Sequence, residues 1–350
     1  MAVESLAELD ERLARGARNL SGWHLHDLDL SGYDERLGDV QVAGALFLGC
    51  TVSHPLEADL RHRGATVFPE VPDVPVNSYR TGLYSPGELF DTARYADSLD
   101  ARVYAWSRQP ATREIRMAQA LHDHAIDEAL SSWTNGRRLV GVMGGHSQQR
   151  GQPSYRDAVL LGQGLAARHT VATGGGPGAM EAANLGAWLA EPDSVAPALA
   201  LLARAPRFRP DVSAWAAAAF EVREQWPEGR ASLGIPTWHY GHEPPNAFAT
   251  AIAKYFRNAT REAILLTLCA AGIVFLPGAG GTVQEIFQDA CENYYADESS
   301  VAPMVLVGRD YWSDEVPAWS LLRSLARGRP MEPHVHLVDT VEEAVDLIGR

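Results

Sequence analysis

Lysine is almost absent from this chain of 350 residues: Lys254 is the only one, and all other basic residues of the Lys/Arg type are arginines. The Gly-Lys-Ser/Thr end of a Walker A phosphate loop is therefore missing, and a lysine Schiff base has a single candidate position. Cysteine is also scarce. Cys50, Cys269 and Cys291 are odd in number and lack metal-ligand spacing, which predicts reduced thiols, no metal site and a cytoplasmic protein.

Long apolar runs are absent as well. No stretch reaches the roughly 18 residues of a membrane span, and no charged-then-apolar leader opens the chain, so we expect no membrane partner. The formal net charge is -14 at pH 7. This charge argues against a nucleic-acid polymer as partner, because phosphate backbones bind basic surfaces. A small anionic ligand is still compatible with it, since a local group of arginines can overcome a negative overall field.

Residues 1–135 form a predicted N-terminal accessory region. Two series of apolar residues step by five within it, namely Leu20, Leu25 and Leu30, and then Leu37, Val42, Phe47 and Val52. Such a step is typical of a short coil of β-helix, although so few repeats also arise by chance. Apolar and helical patterns at 43–48, 55–63 and 65–68 predict a strand, a helix and a strand, and hence a small α/β unit.

Residues 136–350 alternate short apolar runs with helical patterns, which predicts strands at 138–143, 170–173, 231–236, 272–276, 303–307 and 334–338. An alanine-rich stretch at about 192–228 is predicted to be a helical insertion, and 247–270 a long helix. Strands that alternate with helices indicate an α/β fold with a doubly wound parallel sheet, Rossmann-like, with ligands at the carboxyl ends of the strands.

Two glycine-rich loops each follow an apolar run and precede a helical pattern. The first, at 173–181, reads Thr-Gly-Gly-Gly-Pro-Gly-Ala-Met-Glu, and the second, at 277–285, reads Pro-Gly-Ala-Gly-Gly-Thr-Val-Gln-Glu. Glycine at a strand–turn–helix junction lets backbone N–H groups approach an anion at the helix N-terminus. Two such loops on one sheet predict one phosphorylated ligand held from both sides. NAD is disfavoured, because no acidic residue is clearly placed for its ribose.

Polar residues near these loops have two interpretations each. The strand end Gly144-Gly145-His146-Ser147 offers amides and a hydroxyl to a phosphate, or it is simply a tight turn. Glu181 either meets ligand hydroxyls or favours the positive end of its helix. Glu285, which follows the second loop, either faces the ligand or stabilises the start of its helix.

A basic series lies within the predicted long helix. Lys254, Arg257, Asn258 and Arg261 are spaced i, i+3, i+4 and i+7, which places them on one helical face. That face is either solvated or, because the second glycine loop is next in sequence, borders a phosphate site.

Taken together, these strings resemble the LOG family of phosphoribohydrolases, formerly described as lysine decarboxylases. The family signature PGGxGTxxE is matched at 277–285, with Ala279 in place of the second glycine. The glycine–serine strand end, Pro-x-Tyr and GGG strings of the family match 145–147, 153–155 and 174–176. The resemblance covers roughly 138–350. The strings at 176–180 and 243–246 further resemble the larger bacterial nucleotide 5'-monophosphate nucleosidases, which also carry an extra N-terminal domain.

The resemblance implies hydrolysis of the N-glycosidic bond of a nucleoside 5'-monophosphate, without a metal or organic cofactor, by a homo-oligomer of two or more chains. The essential pair of the family maps to Glu285 and to an arginine, Arg261 by preference and otherwise Arg257. The remaining substrate or phosphate contacts are expected at Gly145, Ser147, Gly174, Gly175, Gly176, Gly178, Met180, Glu181, Arg257, Gly278, Gly280, Gly281 and Thr282.

Two other functions fit the same residues. A non-catalytic nucleotide sensor or carrier would use the arginine and the glutamate as ligand contacts only. A nucleotide-processing enzyme of a specialised biosynthetic pathway would act on an unusual base in the same site. Amino-acid decarboxylation is disfavoured, because Lys254 has no recognisable cofactor-binding setting. The preferred base and the role of the N-terminal region stay open.

Overall fold

The computed structural model describes residues 1–71, 73–239 and 243–349. The chain divides into two compact units, one made of residues 1–82 and 106–130 and the other of 83–105 and 131–350. All three cysteines are free thiols, with Cys50 and Cys269 buried and Cys291 exposed.

The first unit contains a four-stranded parallel sheet in the order β1-β2-β3-β4. Its strands are β1 (Ala2–Val3), β2 (His24–His26), β3 (Leu46–Leu48) and β4 (Thr66–Phe68), and between them lie the helices α1 (Leu6–Ala14), α2 (Asp34–Gly38) and α3 (His54–His62). Ala2 pairs with His24, His24 with Leu46 and Leu46 with Thr66. The prediction of a small α/β unit is confirmed.

The residues that step by five form much of the core of this unit. Leu20, Leu25, Leu30, Leu37, Val42 and Phe47 are all buried, and only Val52 is partly exposed. Successive turns of the chain also bridge in parallel outside the strands, between Asn19 and Gln41 and between Asp29 and Thr51. The five-residue step therefore records a real coil of the backbone, in which each turn buries apolar side chains against the next.

Between β4 and β5 in sequence lie α4 (Pro86–Leu89) and α5 (Leu99–Ser107), which belong wholly or mostly to the second unit, and α6 (Arg113–Thr134), which belongs mostly to the first. The second unit then contains β5 (Leu139–Met143), α7 (Pro153–Leu165), β6 (Thr170–Thr173), α8 (Ala179–Trp188), α9 (Val195–Leu202), α10 (Val212–Gln225), β7 (Ser232–Gly234), β8 (Ala251–Ile252), α11 (Asn258–Leu268), β9 (Ile273–Phe275), α12 (Gly280–Tyr295), β10 (Met304–Val307), α13 (Ala318–Ala326), β11 (Val335–Val338) and α14 (Val341–Ile348).

The seven strands of the second unit are parallel and lie in the order β11-β10-β9-β5-β6-β7-β8. From β5 the chain adds strands outwards to β8, and it then returns to the other side of β5 to add β9, β10 and β11. The sheet is thus doubly wound, as predicted, and its switch point lies between β5 and β9. Loops that leave the carboxyl ends of strands at a switch point form the usual ligand crevice of such sheets.

The predicted long helix at 247–270 is wrong in its first half. Residues 251–252 form the edge strand β8, which pairs with β7, and the helix α11 begins only at Asn258. The Asn246 side chain accepts hydrogen bonds from the amides of Phe248 and Ala249, both at 3.0 Å, which holds the backbone in a turn instead of a helix. Lys254 and Arg261 therefore do not share a helical face.

Candidate functional site

Three loops meet at the switch point of the second unit: the β5 loop (144–149), the β6 loop (174–178) and the β9 loop (276–279). The amide of Gly145 donates to the carbonyl of Pro277 at 3.1 Å, and the amide of Ala179 donates to the carbonyl of Gly145 at 3.1 Å. Gly178 has φ +74°, and a Cβ there would lie 2.5 Å from the Gly145 carbonyl oxygen. Gly178 must be glycine for both reasons, and the β5 and β6 loops are in direct contact there.

The β6 loop is buried and turned towards the protein. The Gly174 carbonyl accepts a hydrogen bond from the Arg261 guanidinium at 3.2 Å. The Gly175 carbonyl accepts from the backbone amide of Asn246 at 2.8 Å, and the Gly176 carbonyl accepts from the Asn246 side chain at 3.2 Å. The Gly175 amide donates to the hydroxyl of Thr173 at 3.0 Å. The prediction that the Gly175 amide holds a phosphate is therefore not supported, because a side chain of the protein already occupies it.

The start of α12 is open, in contrast. Ala279, Gly280 and Gly281 are exposed, and a Cβ at either glycine would meet nothing within 4 Å. The N-cap residue of this 16-residue helix, Ala279, makes no side-chain capping hydrogen bond. The first amides of a helix have no intrahelical partner and carry a partial positive charge, which makes this end suited to an anion.

The loop that leads into α12 is held in place from both sides. The hydroxyl of Tyr311 donates to the carbonyl of Gly278 at 2.9 Å. A Cβ at Gly278 would lie 2.2 Å from the Thr282 hydroxyl and 3.0 Å from the Gly145 amide nitrogen, so the position requires glycine. Ala279, which follows Gly278, is exposed.

Arg261 and Glu285 are brought together beside these loops. Arg261 Nη1 lies 3.7 Å from Glu285 Oε1, and their side chains are only 10% and 14% exposed. Arg261 is fixed by two further bonds, from Nε to the Ile235 carbonyl at 2.6 Å and from Nη2 to the Gly174 carbonyl. The guanidinium thus links the ends of β6 and β7 to α12 and presents Nη1 to the carboxylate.

Burial raises the pKa of Glu285 from 4.5 to about 7, with Arg261 opposing the shift and the neighbouring Glu262 adding to it. Desolvation disfavours the charged form of a carboxyl group, and a nearby cation only partly restores it. Glu285 therefore titrates near neutral pH, which is the range in which a carboxyl group serves as a general acid or base.

Met180, Ser147 and His146 lie on or next to the β5 and β6 loops. A Cβ at Gly174 would lie 2.8 Å from the Met180 sulfur and 2.3 Å from Arg261 Nη2, so the partly buried Met180 lies beside the arginine. Ser147 is exposed on the β5 loop. His146 of the same loop lies 3.8 Å from the carboxylate of Glu243 through its Nδ1.

Glu181 forms a buried ion pair with Arg150. Both its oxygens are engaged, Oε2 by Arg150 Nε at 3.2 Å and Oε1 by Arg150 Nη2, and both side chains are 1% exposed. These contacts account for the buried carboxylate. Binding of ligand hydroxyls by Glu181 is a prediction that they do not support.

The other two basic residues of the predicted helical face, Arg257 and Lys254, differ in their surroundings. Arg257 is exposed at the residue that precedes α11. Lys254 is 1% exposed, and its Nζ lies 2.5 Å from Asp100 Oδ1, which also accepts from Trp238 Nε1 at 2.8 Å. Desolvation lowers the pKa of Lys254, while Asp100 opposes this effect. The contacts of Lys254 are those of a buried structural ion pair.

The residues that hold the loops in place by hydrogen bonds were not predicted from the sequence. Asn246 bonds both glycine carbonyls and the side chain of Asn184, whose Oδ1 also accepts from the Thr173 hydroxyl at 2.7 Å. The Glu-Pro-Pro-Asn string gave the only signal for Asn246. Arg150 and Tyr311 had none, because their partners are distant in sequence.

Within residues 1–71, 73–239 and 243–349, no group of three or more His, Cys, Asp or Glu side chains is placed to hold a metal ion. Over the same residues, none of the helices combines the length and the apolar character needed to cross a bilayer.

Comparisons with known proteins give no family assignment. No family model and no curated protein matches the chain. Among solved structures, it is similar to the molybdenum cofactor binding protein of Rippkaea orientalis (18% identity, 61% of this chain and 97% of that one, TM-score 0.38). It is also similar to the Moco carrier protein of Chlamydomonas reinhardtii (18% identity, 61% of this chain and 96% of that one, TM-score 0.37). The values for TM1055, a structural genomics target, are 19% identity, 61% of this chain and 98% of that one, and a TM-score of 0.36. Likenesses this low carry no conclusion about function.

Proposed function

We propose that this protein hydrolyses the N-glycosidic bond of a nucleoside 5'-monophosphate to give a free base and ribose 5-phosphate. The observation that carries the proposal is the Arg261–Glu285 pair, 3.7 Å apart at the switch point and next to the open N-terminus of α12. The motif resemblance to the LOG phosphoribohydrolases supports it independently, because that family uses an arginine and the glutamate that maps to Glu285.

Glu285 has the properties that this reaction needs. Cleavage of an N-glycosidic bond passes through a transition state that resembles an oxocarbenium ion, and a carboxylate beside the anomeric carbon stabilises the positive charge that develops there. The same group can orient the ribose hydroxyls or accept a proton from the attacking water. A pKa near 7 allows either protonation state at neutral pH.

The phosphate is assigned to the start of α12. Gly280 and Gly281 are the exposed residues among the phosphate contacts predicted in this loop, and the buried Gly278 and Thr282 lie next to them. Binding energy from this remote group would orient the sugar at Glu285. Arg261 Nη1 would bind the nucleotide on the opposite side of the carboxylate, with the other nitrogens of the fork already bonded to the protein.

Product analysis separates this proposal from its alternatives. The protein is incubated with nucleoside monophosphates, with and without pyrophosphate as an acceptor, and free base and ribose 5-phosphate are measured by chromatography. Ribose 5-phosphate formed without an acceptor supports hydrolysis. Binding without any release supports the sensor or carrier, and release that requires an acceptor supports a phosphoribosyl-transferring enzyme. Homo-oligomerisation and a cytoplasmic location belong to the same proposal.

A further inference from the structure

A second cavity lies beside the β5 and β6 loops and is not used by the proposed reaction. Its volume is about 200 Å³. One wall comes from the β5 loop and the start of α8, and the other from the segment that joins α9 to α10. Its lining includes His146, Ser147, Gln148, Arg207, Phe208 and Arg209.

Arg150 fixes the second wall to the first. Its backbone amide donates to the Pro206 carbonyl at 3.1 Å, and its Nη1 donates to the carbonyls of Ala205 (3.2 Å) and Trp215 (2.9 Å). Its guanidinium also lies 4.6 Å from the centroid of the Trp215 ring. Since the same side chain pairs with Glu181 on α8, the cavity has a rigid base.

The cavity has an excess of positive charge. Glu181, a carboxylate in its wall, is neutralised by Arg150. Arg207 and Arg209 also line the cavity, and both are exposed; because Arg209 already has a partner, the uncompensated charge is that of Arg207. Within the described part of the chain, the Arg207 side chain has no hydrogen bond or ion pair, and the Arg209 guanidinium lies over the Phe208 ring at 5.6 Å. An unpaired arginine in a chain of net charge -14 is a local exception to the overall field.

Polar groups complete the lining. The Ser147 hydroxyl is exposed on the β5 loop. The Gln148 Oε1 atom is buried and has no hydrogen-bond partner among the described residues. Leaving a buried polar atom unpaired costs free energy, and a ligand hydroxyl that donates to Gln148 Oε1 would recover it. If the amide group is flipped, its nitrogen would instead donate to a ligand oxygen.

We propose that this cavity is a second anion site, which binds a phosphate group through Arg207 and Arg209. Planar guanidinium groups match the oxygens of a phosphate and stay charged at all relevant pH values. The phosphate has two sources, a nucleotide that also occupies the Arg261–Glu285 site or a separate phosphorylated molecule. Only the first of these rests on the proposed function.

The test is a calorimetric titration of the full chain with inorganic phosphate and with ribose 5-phosphate. Arg207→Ala is compared with Arg204→Ala, which removes the same charge from the same segment at an exposed site paired with Glu221. Arg207 makes no hydrogen bond or ion pair with the residues that the structure describes, so we expect its substitution to leave the fold intact. We expect Arg207→Ala to weaken phosphate binding at least about tenfold, the double variant with Arg209→Ala to weaken it further, and Arg204→Ala to change it less than about twofold.

Steady-state kinetics then identify the source. A KM for the nucleoside monophosphate that rises in Arg207→Ala, with kcat retained, means that the substrate itself enters the cavity. An unchanged KM together with weaker phosphate binding means a separate phosphorylated ligand. Equal phosphate binding by wild type, Arg207→Ala and the double variant, or no phosphate binding at all, overturns the inference even where turnover is normal. If wild type binds phosphate and Arg207→Ala does not, while wild type releases no base from any nucleotide, the second anion site stands and only the hydrolase proposal fails.

Discussion

Arg261 Nη1 lies 3.7 Å from Glu285 Oε1, although the two residues belong to helices that follow different strands. Arg261 is in the first turns of α11 and Glu285 is in the second turn of α12. Both helices begin at the carboxyl edge of a parallel sheet, which is why the two side chains converge. The pair is buried, and its geometry leads to the following expectations.

Glu285→Gln is expected to lower kcat by about 10²- to 10⁴-fold while leaving the Kd for a nucleoside monophosphate within about threefold. Glutamine keeps the shape of the side chain but carries no charge for the transition state. Turnover and calorimetric binding are measured on the same preparation. Glu262→Gln, which removes the neighbouring carboxylate on α11, is the matched control and should retain turnover. Normal turnover in Glu285→Gln would reject the role assigned to this residue.

Arg261→Lys is expected to lower kcat/KM by at least about a hundredfold, whereas Arg257→Ala changes it by less than about tenfold. Lysine keeps the charge but cannot bond the Ile235 and Gly174 carbonyls and face Glu285 at the same time. Arg257 is exposed before the helix begins. Circular dichroism shows whether each variant is folded. The reverse ranking would move the essential arginine to Arg257.

The pH dependence of kcat/KM is expected to follow Glu285. Because burial raises its pKa to about 7 and Glu262 adds to the shift, activity that needs the carboxylate rises with pH through about 7. Glu262→Gln removes one negative neighbour of Glu285, so the rising limb of the plot of kcat/KM against pH should move to lower pH. A limb that stays in place, or moves to higher pH, would show that another group titrates.

Stability should depend on pH in the direction set by the same shift. The folded state holds the Glu285 proton more tightly than the unfolded chain does. The stability that this protonation contributes is therefore fully present below about pH 4.5 and is lost as the pH rises through about 7. Ionised Glu285 then costs ~3 kcal/mol. In urea unfolding, the difference in unfolding free energy between Glu285→Gln and wild type should increase in favour of the variant from pH 5 to pH 8. The exposed Glu224→Gln should show no such increase. A difference in favour of Glu285→Gln that is larger at pH 5 than at pH 8 would contradict this expectation.

Lys254→Met is expected to destabilise the fold by about 3–5 kcal/mol, because it leaves Asp100 buried without its cation. The double variant with Asp100→Asn should recover much of that loss. Turnover per folded molecule should change by less than about threefold in the double variant, and borohydride should trap no adduct on the wild type. A stable Lys254→Met variant without turnover would instead indicate a catalytic amine.

The strands that carry the site were predictable because local signals agreed. Each of the strands at 139–143, 170–173 and 273–275 is a short run without charged residues that is followed within three residues by glycine, and each precedes a helical pattern. The five-residue step in the first unit was equally informative, since the side chains at that spacing are the ones that successive turns bury.

The features that the sequence did not predict depend on strand pairing and on particular side-chain hydrogen bonds, some of them local and some between residues distant in sequence. The stretch from 247 has helical composition, but pairing with β7 and the turn at Asn246 override that propensity. Glu181 was equally consistent with ligand binding until Arg150, 31 residues away, was found on both its oxygens. The amide of Gly175 is unavailable for a similar reason, because the Thr173 hydroxyl two residues earlier accepts from it.

The most direct test of the account is release of free base and ribose 5-phosphate from AMP, GMP, CMP, UMP and an isopentenyl-adenosine monophosphate, measured by chromatography for wild type and Glu285→Gln in parallel. We expect equimolar base and ribose 5-phosphate from at least one of the five with wild type, and almost none with the variant. Binding of these nucleotides without release by wild type, or equal release by both proteins, would contradict the assignment of Glu285 to N-glycosidic hydrolysis.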